Sequence, residues 1–180
     1  MRTRNVIASL TLLTLCVVTA GCSGPLTSLN ETLALWHSDQ RADAVARSAD
    51  EYARFRDAND LEEVAVRGWA DALATRLDEV PIVAKREALG PAPSERLGER
   101  RGTLDSELRT DLLSHQASRV ARAIGSIAGL GLGQHATALI ALIYAPKVVE
   151  PDGGVLEALD GAERTVTIKR LAVDALEKLK

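Results

Sequence analysis

Few residues in this chain have types and spacings that suggest chemistry. The three histidines, His37, His115 and His135, lie far apart, and none belongs to an HExxH or other ligand spacing. They read as structural histidines, and no metal site is expected. The "GLGLG" of residues 129–133 has no strand before it and lacks the GxGxxG spacing of a dinucleotide site. It also lacks the Gly-Lys-Ser/Thr ending of a phosphate loop, and neither a GxSxG elbow nor an SxxK motif occurs anywhere. Glu62, Glu63 and Asp71 read as parts of solvated helix faces, and no glycosidase-like pair of carboxylates stands out. No catalytic residue and no cofactor is expected.

Cys22 is the residue with the most specific setting. A short basic start, "MRTRN", leads into the apolar run "VIASLTLLTLCVVTA", which closes on the small residues of "TAGC". This is the layout of a signal peptide, residues 1–21. The run is short for the ~20 residues a membrane span needs. Arg2 and Arg4 are split by Thr3, so the signal is not of the twin-arginine kind. "VTAGCSG" resembles the lipobox of bacterial lipoproteins. The resemblance implies that Cys22 becomes the mature N-terminus and holds the protein at the membrane through acyl chains. Two or three chains suffice for a stable anchor, since each buried methylene contributes ~0.8 kcal/mol. Ser23, rather than Asp, follows the cysteine, which in a Gram-negative lipoprotein would favour the outer membrane, facing the periplasm. Cys16 would leave with the signal peptide, so the mature chain would have neither a free thiol nor a disulfide. Stability must then come from packing, and about 160 residues suffice for one core.

The formal net charge of −3 becomes −5 once Arg2 and Arg4 are removed, and only five residues are Phe, Tyr or Trp. A nucleic-acid partner is therefore not expected, because such a surface needs a basic patch and stacking aromatics.

The elements that would position a site read as helices. Residues 22–30 read as a lipidated tether and "ETLALWHS" as a first turn or two. Ser38 and Asp39 are candidate caps for a helix reaching Asp57, and Asn59 with Glu62 forms a candidate capping box for one reaching Val80. In the second, Leu61, Val64, Trp69, Leu73 and Leu77 lie near one stripe, so the pair should form an antiparallel hairpin. The Pro/Gly-rich residues 89–102 read as an exposed loop. A long central helix should begin at Thr103, with Leu104, Leu108 and Leu112 in one row and Leu113, Ala117, Val120, Ile124 and Ile127 in another. "EPDGG" is a turn, and "ERTVTIKRLAVDALEKLK" closes the chain as an amphipathic helix whose "TVTI" alternates like a strand. The expected fold is mainly α, a bundle of about four to six helices forming one domain over residues 31–180.

Residues 123–145 contain no Asp, Glu, Lys or Arg. Small residues recur every fourth position, centred on Gly125, Gly129 and Gly133, a possible close-packing ridge. This spacing resembles the glycine-zipper segments of some bacterial envelope lipoproteins. An unbroken helix through Gly125, Gly129, Gly131 and Gly133 would cost ~4 kcal/mol relative to alanine. A break near Leu130, with a glycine as left-handed cap and a new helix near Gln134 or His135, costs less. As a membrane span, the eight Leu and Ile residues would supply only ~−2 to −5 kcal/mol, opposed by Ser126, Gln134, His135 and Thr137. A buried core hairpin is the preferred reading.

The functional expectation is a lipid-anchored envelope protein with a structural, scaffolding or partner-binding role. Its partners would be the membrane, through Cys22, and another envelope protein. A contact surface around Tyr52, Phe55 and Trp69 is considered, although Tyr52 and Trp69 fit the core better. The alternatives are a membrane-active or oligomerising protein using residues 125–145, and a cryptic hydrolase.

Overall fold

The computed structural model describes residues 25–78, 94–146, 149–151 and 154–180. Among the described residues, seven α-helices run in the order α1 (Pro25–His37), α2 (Arg41–Ala58), α3 (Glu63–Asp78), α4 (Ser94–Leu113), α5 (Ala117–Leu130), α6 (Ala136–Tyr144) and α7 (Gly161–Leu179). Short 3-10 turns precede α6 and α7, and no strand is formed among the described residues. The architecture is the mainly helical bundle expected, with one described helix beyond the expected range of about four to six. No described helix is long and apolar enough to cross a membrane.

The bundle is built around α7. A capping box starts this helix: the Asp160 side chain accepts from the Glu163 amide at 2.8 Å, and Glu163 accepts from the Asp160 amide at 2.7 Å. Residues 165–169 are then buried in unbroken succession, because α2, α3, α5 and α6 all pack on this helix. Burial on every side accounts for the strand-like look of "TVTI": with no solvent face, its β-branched residues carry no 3.6-residue signature. The Thr165 and Thr167 hydroxyls donate one turn back, to the Gly161 and Glu163 carbonyls, which lets them sit in the core.

Several expected boundaries move. Pro25 opens α1, so residues 25–30 are helical rather than tether, in keeping with proline's fitness for a first turn. Leu29 and Leu33 of this helix pack against the core, and Thr32 bonds to Tyr144 of α6 at 2.7 Å. Ser38 does not cap α2; its hydroxyl donates back to the Leu35 carbonyl, and Gln40 occupies the cap position. Asn59 closes α2 instead of opening α3, and its side-chain amide donates to the Phe55 carbonyl at 2.7 Å. The expected stripe on α3 also shifts: Val64 is 81% exposed, while Val66, Ala70 and Leu73 are buried. Each of α2 and α3 packs on α7, so they flank a third helix instead of lying against one another as a hairpin.

The long helix expected from Thr103 is two helices. The Gln116 amide donates to the Ser114 hydroxyl, the Ala117 amide to the Glu150 carbonyl, and the Glu150 amide to the His115 carbonyl at 2.8 Å. These bonds satisfy the helix ends at the break. Residues 94–102 of the expected loop belong to α4; residues 89–93 lie outside the described residues.

The charge-free run breaks into two core helices as expected, but they do not pair as a hairpin; each packs on α7 instead. Helix α5 ends at Leu130, Gly131 takes a left-handed φ of 65°, and the Leu132 amide donates to the Ile127 carbonyl at 3.0 Å. After the turn, α6 buries Ala136, Leu139, Ile140, Leu142, Ile143 and Tyr144.

Candidate functional site

Because the chain turns sharply at residues 114–116, α4 lies along α5 and touches α6 only lightly. An open groove of about 900 Å³ remains between α4 and α6. Leu112 and Leu113 form one wall, Ala138, Ala141 and Leu142 the other, and Ala145 and Pro146 close one end. Leu113 was expected in a buried row, but as the last residue of α4 it is 79% exposed on the groove's lip. The polar lining is confined to Arg109, His115, Gln134, His135 and Thr137. This size is typical of a site that encloses a small apolar ligand.

His135, only 2% exposed, lies at the groove wall and bonds through Nε2 to Asp105 Oδ1 at 2.8 Å. Gln134 donates to the same oxygen at 3.4 Å. The bond from His135 holds the Asp105 carboxyl below its ordinary range. The pair joins α4 to the turn that starts α6. The buried His135 ring is thus satisfied by a side-chain partner.

A second groove, about 560 Å³, runs between α3, α5 and α7. Ala121, Gly125, Ala128 and Gly129 line it, with Asp71, Arg122, Asp174, Glu177 and Lys178 around its rim. A Cβ added at Gly125 or at Gly133 would meet nothing within 4 Å. Among the described residues, then, neither glycine provides close packing. Gly125 and Gly129 leave an open trough, and the glycine whose backbone needs its freedom is Gly131.

Of the considered aromatic surface, Tyr52 is inside the molecule, while Phe55 and Trp69 are partly buried. Tyr52 is 2% exposed, and its hydroxyl donates to Glu63 at 2.7 Å. Glu63 also accepts from Arg56 at 2.5 Å, Arg67 at 2.8 Å and Arg170 at 2.9 Å, tying α2, α3 and α7 together. Burial would raise the Glu63 carboxyl, but the bonds from Tyr52, Arg67 and Arg56, with the charge of Arg170, outweigh it and bring it down to about 2. Phe55 lies beneath the Lys169 ammonium, 5.0 Å from the ring centre, and Trp69 packs partly buried on the core.

Lys169, 3% exposed, donates to the carbonyls of Leu142, Ile143 and Ala145 at the end of α6. Burial pushes its amine down to about 8, so it remains mostly protonated at neutral pH. It acts as a helix cap supplied from another helix. The sequence carried a signal for it: Lys169 stands one turn before Ala172 and Val173, within the apolar stripe of α7. The groove left no comparable signal, because its existence depends on the break at Ser114.

Among the described residues, no group of three or more His, Cys, Asp or Glu is placed to hold a metal ion. Cys22 lies outside the described residues, three positions before α1 begins. The chain matches no protein-family model, and no curated protein or solved structure shows significant similarity to it.

Proposed function

We propose that this chain is a lipid-anchored protein of the bacterial envelope that acts by binding, with the α4–α6 groove as its contact surface. The observation that carries the reading is the groove itself: an open apolar channel beside Leu113, one of three exposed large hydrophobic residues, with Leu26 and Val64, among the described residues. Exposed apolar surface of this kind is costly to leave uncovered and marks interaction sites. The lipobox-like "TAGC" supports the anchor, and with α1 starting at Pro25 the bundle would sit within a few residues of the membrane. The role is then that of a scaffold or partner-binding module at the outer membrane.

Two measurements on the full chain test this. Cys22→Ser should abolish acyl labelling and release the protein from membranes or leave it unprocessed; unchanged labelling would remove the anchor. A photoreactive p-benzoylphenylalanine replacing Leu113 should give adducts with a second molecule in intact envelopes, whereas the same residue replacing the exposed Glu62 should not. Equal adducts at both positions would show that the groove is not the contact surface.

A further inference from the structure

The groove is unusual in its charge. The chain carries 25 acidic residues against 22 basic ones, yet no Asp or Glu lines this channel. The ionisable residues that do line it are Arg109, His115 and His135. Arg109 stands on α4 one turn beyond Asp105, and its charge reaches that carboxylate. Oδ1 of Asp105 is already engaged by His135 and Gln134, and a guanidinium has five donors to distribute. His135 is spent on the same carboxylate, while His115 is exposed at the end of α4. The site therefore combines a wall of leucine and alanine with a single guanidinium, Arg109, at its edge. Ala138, Ala141 and Ala145 recur along and just past α6, so most of that wall is small and apolar, with Thr137 its one hydroxyl.

We infer that the α4–α6 groove takes up a long-chain fatty carboxylate, its acyl chain between Leu112–Leu113 and Ala138–Ala141 and its head group at Arg109. The inference rests on the groove being a binding surface and adds the chemistry of its occupant. An acyl chain needs no polar partner along its length, which matches the lining. A carboxylate gains a charge-assisted, bidentate partner only where a guanidinium is offered at the channel edge. Arg109 sets the preference for an anionic head, and the small residues of α6 leave room for the chain.

The test uses washed membranes bearing the full chain and palmitic acid carrying a photoactivatable diazirine. Labelling should saturate, be chased by unlabelled palmitate, and map to residues 109–115 and 134–146. Arg109→Glu should reduce it about tenfold, as should replacing the acid probe by the corresponding fatty alcohol. Ala141→Trp, which fills the channel from a partly exposed position, should abolish it. Labelling that is equal for acid and alcohol and indifferent to Arg109 would overturn the carboxylate preference while the apolar groove stood. Labelling outside these residues, or benzoylphenylalanine adducts at Leu113 that contain polypeptide and no lipid, would overturn the fatty-acid occupant without overturning the binding surface.

Discussion

Glu63 is held by four donors from three helices, and its carboxyl titrates near 2 instead of in the usual carboxylate range. A carboxyl depressed on folding contributes stability above its unfolded pKa of about 4.3 and loses that contribution as pH falls towards 2. Glu63→Gln should therefore cost about 2–3 kcal/mol at pH 7 in denaturant melts, with the gap to wild type closing between pH 5 and the acid limit. A gap independent of pH in that window would show that the network does not hold the charged form. At Lys169, methionine keeps the length of the side chain but leaves three buried carbonyls without their donor. Lys169→Met should cost about 1–3 kcal/mol, measured the same way. Neither role could be read from composition. Glu63 looks like any acidic residue on a solvated face until the fold brings Arg170 to it across more than a hundred residues. Lys169 stands as a cation within the apolar stripe of α7, but its acceptors at the end of α6 are set by the fold.

At the scale of elements, the break in the charge-free run was legible because it follows from a local cost. Four glycines in one helix are expensive, whereas a left-handed cap at Gly131 turns one of them to use. Opposite signs of stability change follow. Gly131→Ala forces a Cβ into φ 65° and should lower stability by about 1 kcal/mol, with valine worse. Gly125→Ala lies inside α5 with open space around it and should raise stability by up to ~1 kcal/mol. Thermal melts of the two variants check both signs; a loss at Gly125 would show that the trough beside it is filled by another segment. The boundaries that sequence misplaced are those decided by tertiary contact. Ser114 ends α4 because residue 150 supplies the backbone partners for the turn. Asn59 reads equally well as the end of one helix or the start of another, and the bond to Phe55 decides it.

At the scale of the molecule, helical periodicity was enough to anticipate a bundle, but not which helix lies at its centre. The widest apolar stripe pointed to the helix after Thr103, whereas α7 is the one enclosed by four others. Its central turns are hidden by residues such as Lys169 and the paired threonines, which read as polar but are satisfied internally. The groove is a consequence of that arrangement, since α4 follows α5 away from α6 and leaves Leu113 uncovered. If the exposed channel is there to be filled by another molecule, blocking it should remove contact without harming the fold. The most direct measurement is Ala141→Trp in the full chain, with p-benzoylphenylalanine at position 113 reporting contact and a thermal melt reporting folding. The account predicts a melting temperature at or above that of the unblocked protein and loss of the adducts at position 113. Adducts that persist undiminished in the blocked, folded protein would contradict it.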